Sequence, residues 1–170
     1  STVSPAVIHE LVAAAEPRGV SIIDAPVSGA ADGAQAGSLT IMVGGAVEAI
    51  DACRDVLDAI SSTIVRVGDA GHGTVTKLVT NMLWFVHVVA LGDALGLAHR
   101  AGVAPGALAA AVPKSAGASW AADHDLPNIL AGNDDPTFTL ALCCKDLNIV
   151  EELRASVASG LPLFEATRAT

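Results

Sequence analysis

Aromatic and basic residues are scarce in this 170-residue sequence. It contains no Tyr, two Trp and three Phe, and its nine Lys and Arg residues are outnumbered by 18 Asp and Glu. The formal net charge is −9 at pH 7. Nucleic-acid binding needs clustered cations for the phosphates and aromatic faces for unstacked bases. We therefore expect no nucleic-acid partner.

Cysteine is also rare, and the usual metal-binding patterns are missing. The three Cys residues include the adjacent pair Cys143 and Cys144, and no CxxC occurs. This set predicts neither a disulfide framework nor a zinc site. The five His residues have no metal-ligand spacing. We expect reduced cysteines, no bound metal and a cytoplasmic location.

Long apolar runs and a dinucleotide fingerprint are missing as well. The longest uncharged apolar run, residues 78–92, contains Asn81 and His87 and is shorter than the roughly 20 residues of a membrane span. We expect a buried helix there and no membrane partner. No GxGxxG motif follows a predicted strand, so the Gly-rich turn that binds dinucleotide phosphates is not in this chain.

The residues that are present suffice for a core, because 52% are hydrophobic and the mean hydropathy is +0.54. Ser4 and Pro5 mark the first helix start as an N-cap and an N1 proline. The Gly- and Ala-rich residues 28–38 fit either close helix packing or a flexible loop. Periodicity predicts helices at 5–15 and 47–60, and strands at 20–25, 39–43 and 63–67.

After residue 68 the pattern is helical only. The first predicted helix there is apolar on every face, which is typical of a helix buried on most sides. We predict a mixed α/β domain over residues 1–68 and an all-α domain over residues 69–170, built on one long central helix. The predicted helices are 74–101, 105–112, 119–131 and 140–159.

Lys77 is the first candidate for chemistry. It lies early in the long helix, one turn before Asn81, and residues four apart share a helix face. Burial lowers the pKa of a lysine from about 10.4 towards neutrality, which suits a general acid or base. The alternative is a lysine whose side chain extends from the helix start to solvent.

Two other segments are weaker candidates. Residues 24–30, with the sequence DAPVSGA, place a hydroxyl and accessible backbone amides after a predicted strand, where a carboxylate can bind. An ordinary strand-to-loop turn is the alternative. Lys145 and Asp146 lie in an apolar stretch, and the alternative for them is a helix salt bridge to a neighbour such as Glu151.

Taken together, these segments resemble the β-hydroxyacid dehydrogenases, the family that includes 3-hydroxyisobutyrate dehydrogenase and tartronate semialdehyde reductase. The resemblance covers essentially the whole chain, and DAPVSG combined with GxGxxxK is its most specific part. The matching segments are STVSP (1–5), DAPVSG (24–29), LTIMVGG (39–45), GHGTVTKLVTN (71–81) and KDL (145–147).

The resemblance implies hydride transfer between NAD or NADP and a small β-hydroxy acid or its semialdehyde. It places Lys77 on the family's catalytic general acid/base and Asn81 on the amide that positions the substrate. Thr2 and Lys145 fall on residues that contact the nicotinamide cofactor. The small-molecule hydroxy acid is the expected substrate partner, and a homodimer or homotetramer is the expected assembly.

The resemblance also assigns Ser28, Gly29 and Ala30 to the loop that binds the substrate carboxylate. Ala30 stands where the family usually has a second Gly, and a positive φ is less tolerated there. Thr80 replaces the first of two consecutive Asn residues. Because of these two departures, the resemblance predicts the type of reaction better than it predicts the identity of the substrate.

Family members begin with a Rossmann domain, and the sequence here starts with Ser1 rather than Met. We therefore expect an α/β remnant of a Rossmann-type domain followed by an all-α domain, with both ends incomplete and no activity in this chain alone. Two alternatives stay open. One is a non-catalytic helical dimerisation and substrate-binding fragment, and the other is a relative that reduces imines or acts on sugar acids.

Overall fold

The computed structural model describes residues 2–133 and 138–170. The chain divides into two compact units. The first unit comprises Ser1–Thr80 and Cys144–Ser159, and the second comprises Asn81–Cys143 and Gly160–Thr170.

Helices make up most of the described residues. Two 3₁₀ turns, Glu16–Arg18 and Val112–Lys114, and a π-helical turn, Ala121–Asp125, supplement them. The α-helices are α1 (Pro5–Ala15), α2 (Ala30–Gln35), α3 (Val47–Ala52), α4 (Arg54–Ile60), α5 (His72–Arg100), α6 (Pro105–Ala111), α7 (Leu126–Ala131), α8 (Leu140–Ser156) and α9 (Pro162–Ala169).

A three-stranded sheet lies in the first unit. Its strands are β1 (Val27–Ser28), β2 (Leu39–Gly44) and β3 (Ser61–Gly68), in the order β1-β2-β3. β1 pairs antiparallel to β2, whereas β2 and β3 are parallel and are connected through α3 and α4. The mixed α/β character of residues 1–68 and the helical character of the rest are confirmed.

Each unit has its own apolar core. In the first unit, Ile41 and Val43 of β2 pack with Ile50 of α3 and Leu57 of α4, and all four are buried. In the second unit, Leu91 of α5 packs with the π-helical turn and α7; this cluster comprises Leu91, Ala121, Ala122 and Leu126. β2 is the central strand of the sheet, and its apolar residues are therefore buried on both faces.

The predicted strand at residues 20–25 is wrong. Only Asp24 forms a β-bridge there, to Gly44, and the antiparallel ladder begins after Pro26. Val20 is 56% exposed, and Pro26 has no N–H to extend a ladder towards it. A β-branched run forms a strand only where a second strand lies beside it.

Two predicted helices are interrupted. The predicted helix at 47–60 is divided at Cys53, whose amide donates to Ile50 O in a tight turn and whose carbonyl accepts from Val56 and Leu57. The predicted helix at 119–131 starts with the π-helical turn before α7. The Gly- and Ala-rich residues 28–38 contain the short helix α2 rather than a loop alone.

The long helix α5 is confirmed, but its burial on most sides is not. Leu78, Phe85 and Leu91 are buried, whereas Leu83 is 47% and Leu97 is 70% exposed. A 29-residue helix is about 43 Å long, and the described elements leave most of its apolar window unburied.

By length and composition alone, α5 is also apolar enough to cross a membrane, with a mean hydropathy of 1.6 in its most apolar window. Core helices of soluble proteins have the same length and composition, so this property is weak evidence for a membrane span. The absence of a membrane partner stays a prediction.

The start of α5 lies against the end of β2 and the residue Asp24. Asp24 is 5% exposed, and its carboxylate accepts from the amides of Gly71 (2.7 Å) and Thr74 (2.5 Å). The carboxylate thereby satisfies amides that a helix start leaves without intrahelical partners, at the end where the helix dipole favours an anion. We call this contact the Asp24 junction.

Gly73 is required at the Asp24 junction because the backbones approach so closely. A Cβ at Gly73 would lie 2.5 Å from Met42 O and 2.7 Å from Asp24 O. These neighbours are backbone atoms of the sheet and its preceding segment, so they cannot rotate away as a side chain would.

We predict that Gly73→Ala destabilises the protein by about 2–3 kcal/mol through overpacking. Gly92→Ala, in the same helix, is the matched control, because a Cβ there meets nothing within 4 Å. This control gains about 0.5–1 kcal/mol from the higher helix propensity of Ala. Urea unfolding of both variants measures the difference, and equal effects would contradict the steric reason given for Gly73.

Ala30 has a strained backbone, and we predict that Ala30→Gly stabilises the protein. Its φ of +52° lies in the left-handed region, where a Cβ costs about 1 kcal/mol. The expected gain is therefore up to about 1 kcal/mol in the free energy of unfolding. Ala34→Gly, inside α2, is the control and is expected to lose about 0.5–1 kcal/mol. A loss of stability in Ala30→Gly would show that the strain is absent in solution.

Candidate functional site

A pocket of about 250 Å³ lies in the first unit, beside the Asp24 junction. Its walls come from the start of the chain, α1, the segment before β1 and the first turns of α5. Most of the lining is apolar, with a hydroxyl, a carboxylate and an ammonium group among the polar exceptions. The lining residues are Thr2, Val3, Ile8, Asp24, Ala25, Pro26, Val27, Thr74 and Lys77.

Lys77 is half-buried in this pocket wall. It follows Thr74 by three residues, so the Asp24 junction fixes the helical turn from which it projects. Burial lowers the pKa of Lys77 below its usual 10.5, and the negative charge of Asp146 acts in the opposite direction and raises it. Because Lys77 is half-buried and lines the pocket, the structure supports the partly buried interpretation rather than a side chain that extends to solvent.

Thr2 and Lys145 are brought together on the same side of the first unit. Lys145 Nζ donates to Thr2 O at 2.8 Å, and Thr2 Oγ1 donates to Asp146 Oδ2 at 3.1 Å. Lys145 Nζ also lies 2.7 Å from Asp146 Oδ1. Glu151, the alternative partner considered for Lys145, pairs instead with Arg154.

Ser28, Gly29 and Ala30 follow directly after the pocket-lining Val27. Ser28 is exposed and pairs with Thr40 across the sheet, so the sheet fixes the start of this loop. Gly29 has φ +128° and precedes the strained Ala30 at the beginning of α2. None of the three is among the residues that line the pocket, and their contact with a carboxylate stays a prediction.

Asn81 lies one turn after Lys77 in α5 and is half-buried. It is the first residue of the second unit. Its assignment to substrate positioning therefore rests on helix spacing and on the resemblance.

Asp24 and Asp146 lie in two of the candidate segments, but the sequence predicted no separate role for either carboxylate. Both carboxylates are at least 95% buried, and both accept hydrogen bonds from residues distant in sequence. An acidic residue inside an apolar run is the sequence signal for such a group, because carboxylates are rarely buried without partners.

The pocket fits the nicotinamide end of NAD or NADP. Apolar walls suit a planar ring, and Thr2 Oγ1 retains a lone pair that can accept from a carboxamide N–H₂. The Gly-rich turn for the pyrophosphate does not occur in this sequence, so only that end is matched here. Among the described residues, no three His, Cys, Asp or Glu side chains cluster as metal ligands.

Comparison with known proteins identifies two family models along the chain. Residues 1–68 match the NAD-binding domain of 6-phosphogluconate dehydrogenase. Residues 71–170 match the NAD-binding domain of NADP-dependent 3-hydroxyisobutyrate dehydrogenase. The cofactor of these domains is NAD or NADP, as predicted.

Several curated relatives match almost the whole chain. It is 36% identical to L-threonate dehydrogenase of Cupriavidus necator over 98% of its own length and 56% of the relative. It is 35% identical to NAD-dependent L-serine dehydrogenase of Pseudomonas aeruginosa, over 96% of this chain and 57% of the relative. The chain thus spans little more than half the length of these relatives.

Solved structures agree with this relationship. The chain superposes on Mycobacterium tuberculosis 3-hydroxyisobutyrate dehydrogenase, a structure containing L-serine, with a TM-score of 0.91 and 30% identity, over 99% of this chain and 60% of the other. An imine reductase from Myxococcus stipitatus has a TM-score of 0.62 over 99% of this chain and 60% of the other, and its 16% identity shows the shared fold alone. The chain belongs to the β-hydroxyacid dehydrogenase family.

Proposed function

We propose that the protein carrying this chain transfers a hydride between NAD or NADP and a small carboxylic acid with a hydroxyl on its β carbon, or the corresponding semialdehyde. The observation that carries the proposal is the half-buried Lys77 in a pocket wall, with a pKa lowered by burial. Threonate, serine and 3-hydroxyisobutyrate, the substrates in the names of the relatives, share this carboxylate and β-hydroxyl.

Lys77 acts as the general acid/base in this proposal. During oxidation its neutral Nζ accepts the proton of the substrate hydroxyl while the carbon–hydrogen bond of the carbinol breaks. In the reverse direction its ammonium form donates that proton to the carbonyl oxygen. A bound nicotinamide supplies the hydride acceptor or donor.

The remaining residues bind and orient. The hydroxyl of Ser28 and the backbone of Gly29 and Ala30 are proposed to hold the substrate carboxylate, and the side-chain amide of Asn81 to orient the substrate near Lys77. Thr2 and Lys145 are proposed to contact the nicotinamide. The fixed backbone positions of Val27 and Thr74, one in the sheet and one at the Asp24 junction, support this arrangement.

A homodimer or homotetramer is part of the proposal. The apolar side chains that α5 exposes, such as Leu83 and Leu97, support it, because a second copy would remove them from water. The choice between NAD and NADP, and the choice of acid, are left open.

We predict that Lys77→Ala, made in the full-length protein that carries this chain, lowers kcat by about 10²- to 10⁴-fold, the usual contribution of a placed acid or base. Oxidation of 3-hydroxyisobutyrate, L-serine and L-threonate with each cofactor provides the assay. Lys114→Ala is the matched control, since Lys114 is an exposed lysine of the second unit and is expected to have wild-type activity. Near-wild-type turnover of Lys77→Ala with the best of these substrates would refute the proposal.

The direction of the reaction determines the pH dependence that we expect. Because burial lowers the pKa of Lys77, its ammonium form is lost as the pH rises through a value below 10.5. The kcat for oxidation should therefore rise with pH across that value, and the kcat for reduction should fall. In Lys77→Arg we expect neither the rise of kcat for oxidation nor the fall of kcat for reduction with pH, because a guanidinium does not titrate in this range. Parallel profiles in the two directions would contradict Lys77 as the acid/base.

A further inference from the structure

Thr2, in the wall of the pocket, is held by two neighbouring residues of α8. Its side chain donates from Oγ1 to Asp146 Oδ2 at 3.1 Å, and its backbone carbonyl accepts from Lys145 Nζ at 2.8 Å. Both the side chain and the main chain of Thr2 are therefore fixed by contacts with the same helix.

The hydrogen bond between Thr2 and Asp146 has only one direction. Lys145 Nζ lies 2.7 Å from Asp146 Oδ1, and the Asp146 side chain is 1% exposed, so this buried carboxylate is paired with an ammonium group. An ionised carboxylate accepts hydrogen bonds and donates none, whereas a hydroxyl has a single proton to donate. The hydroxyl proton of Thr2 is therefore directed to Asp146 Oδ2.

A neutral ligand group does not redirect this proton. Hydrogen bonds to an ionised acceptor are roughly twice as strong as those between neutral groups. Turning the hydroxyl of Thr2 towards a ligand carbonyl would exchange the stronger bond for the weaker one and would remove a donor from the buried Asp146. Towards a ligand in the pocket, the Thr2 hydroxyl consequently offers lone pairs and no proton.

This polarity distinguishes the two ends of a nicotinamide carboxamide. The carboxamide has an N–H₂ group that donates and a carbonyl oxygen that accepts. A wall that offers only an acceptor matches the N–H₂ end, and it leaves that acceptor unpaired when the ligand lacks the N–H₂ group. Sites built to bind such a group reject the analogue without it, because a polar atom of the site loses its partner.

We propose that Asp146, through its hydrogen bond to Thr2, makes this pocket selective for the N–H₂ group of the nicotinamide carboxamide. Thr2 is the residue that contacts the carboxamide, and Asp146 is a positioning residue that acts through Thr2. The inference rests on the proposed function, because it needs a bound nicotinamide cofactor. It adds which end of the carboxamide the Thr2 side of the pocket recognises.

The test compares the binding of three dinucleotides to the full-length protein that carries this chain, by isothermal titration calorimetry. The reference is NAD⁺, or NADP⁺ if that binds more tightly. Its 3-acetylpyridine analogue has a methyl group in place of the N–H₂, whereas its thionicotinamide analogue keeps the N–H₂ and carries sulfur in place of the carbonyl oxygen.

We expect the Kd of the acetylpyridine analogue to be about tenfold higher than that of the reference, because the Thr2 acceptor is left unpaired. The thionicotinamide analogue is the control ligand and should bind about as tightly as the reference. An acetylpyridine analogue that binds the unmodified protein as tightly as the reference would overturn the proposal.

Thr2→Val and Thr2→Ser are the matched variants for the hydroxyl. Thr2→Val keeps the shape of the side chain without its oxygen, so the ratio of the acetylpyridine Kd to the reference Kd should fall by about tenfold. Thr2→Ser keeps the hydroxyl and should keep the ratio. The same ratio in Thr2→Val and in the unmodified protein would contradict recognition by Thr2.

Asp146→Asn tests the direction of the hydrogen bond. The ammonium of Lys145 attracts the oxygen of the new amide, which turns the amide N–H₂ towards Thr2 Oγ1. The hydroxyl then accepts from this N–H₂ and is free to donate its own proton to a ligand carbonyl. The ratio of the two Kd values should therefore approach one. A purely structural role of Asp146 would weaken the three dinucleotides equally and leave the ratio unchanged, which would overturn the proposal.

Glu152→Gln is the control for the loss of charge. It removes one negative charge from the same helix at an exposed position, and we expect the ratio to stay as in the unmodified protein. An equal fall of the ratio in Asp146→Asn and Glu152→Gln would show a general effect of net charge and would overturn the role of Asp146.

Failure of this inference is distinguishable from failure of the proposed function. If the full-length protein binds none of the three dinucleotides, the proposed function fails and the inference fails with it. If the reference binds but the acetylpyridine analogue is not discriminated against, only the inference fails. Should Asp146→Asn not fold, the ratios of Thr2→Val and Thr2→Ser decide.

Discussion

The contact between the Asp24 carboxylate and the amides of Gly71 and Thr74 connects the start of α5 to the segment that precedes the sheet of the first unit. The carboxylate is buried and accepts both hydrogen bonds at once. Such bonds to an ionised group are among the stronger ones in proteins, and a buried amide without a partner is costly. The first turn of α5 therefore has one favourable position against β2.

This junction gives the two most specific sequence motifs one physical explanation. DAPVSG supplies the carboxylate of Asp24, and GxGxxxK supplies Gly73, whose missing Cβ lets the helix approach the sheet backbone. The same two motifs continue into the Ser28 loop on one side and Lys77 on the other. The residues proposed for carboxylate binding and for proton transfer are thus both attached to the junction within a few residues. The strained φ of Ala30 lies in that loop, where distortion is commonly found near functional sites.

Local signals in the sequence predicted the elements that local forces determine. Ser4 caps α1, with Pro5 at its first position, and β2 and α5 lie close to the positions that the sequence predicted for them. The failure at residues 20–25 is non-local, because these residues have the composition of a strand but only one bridge to a neighbour. The break at Cys53 is a local turn within a continuous amphipathic pattern. The role of Asp24 depends on bonds across about fifty residues, which no periodicity reveals.

The residues of the candidate site also differ in whether a local sequence signal reveals them. Lys77 was recognisable because a lysine in an apolar helix is unusual, and its half-burial agrees with that signal. Asp146 was less evident, since its partner Thr2 lies at the other end of the chain.

Amide hydrogen exchange of the native protein tests the Asp24 junction most directly. If the carboxylate anchors the helix start, the amides of Gly71 and Thr74 should exchange only through global unfolding, as slowly as the β2 amides of Ile41 and Val43. In Asp24→Asn the two anchored amides should exchange much faster than those of β2. Rapid exchange at Gly71 and Thr74 in the unmodified protein would show that the helix start opens freely, and would contradict an anchored Lys77.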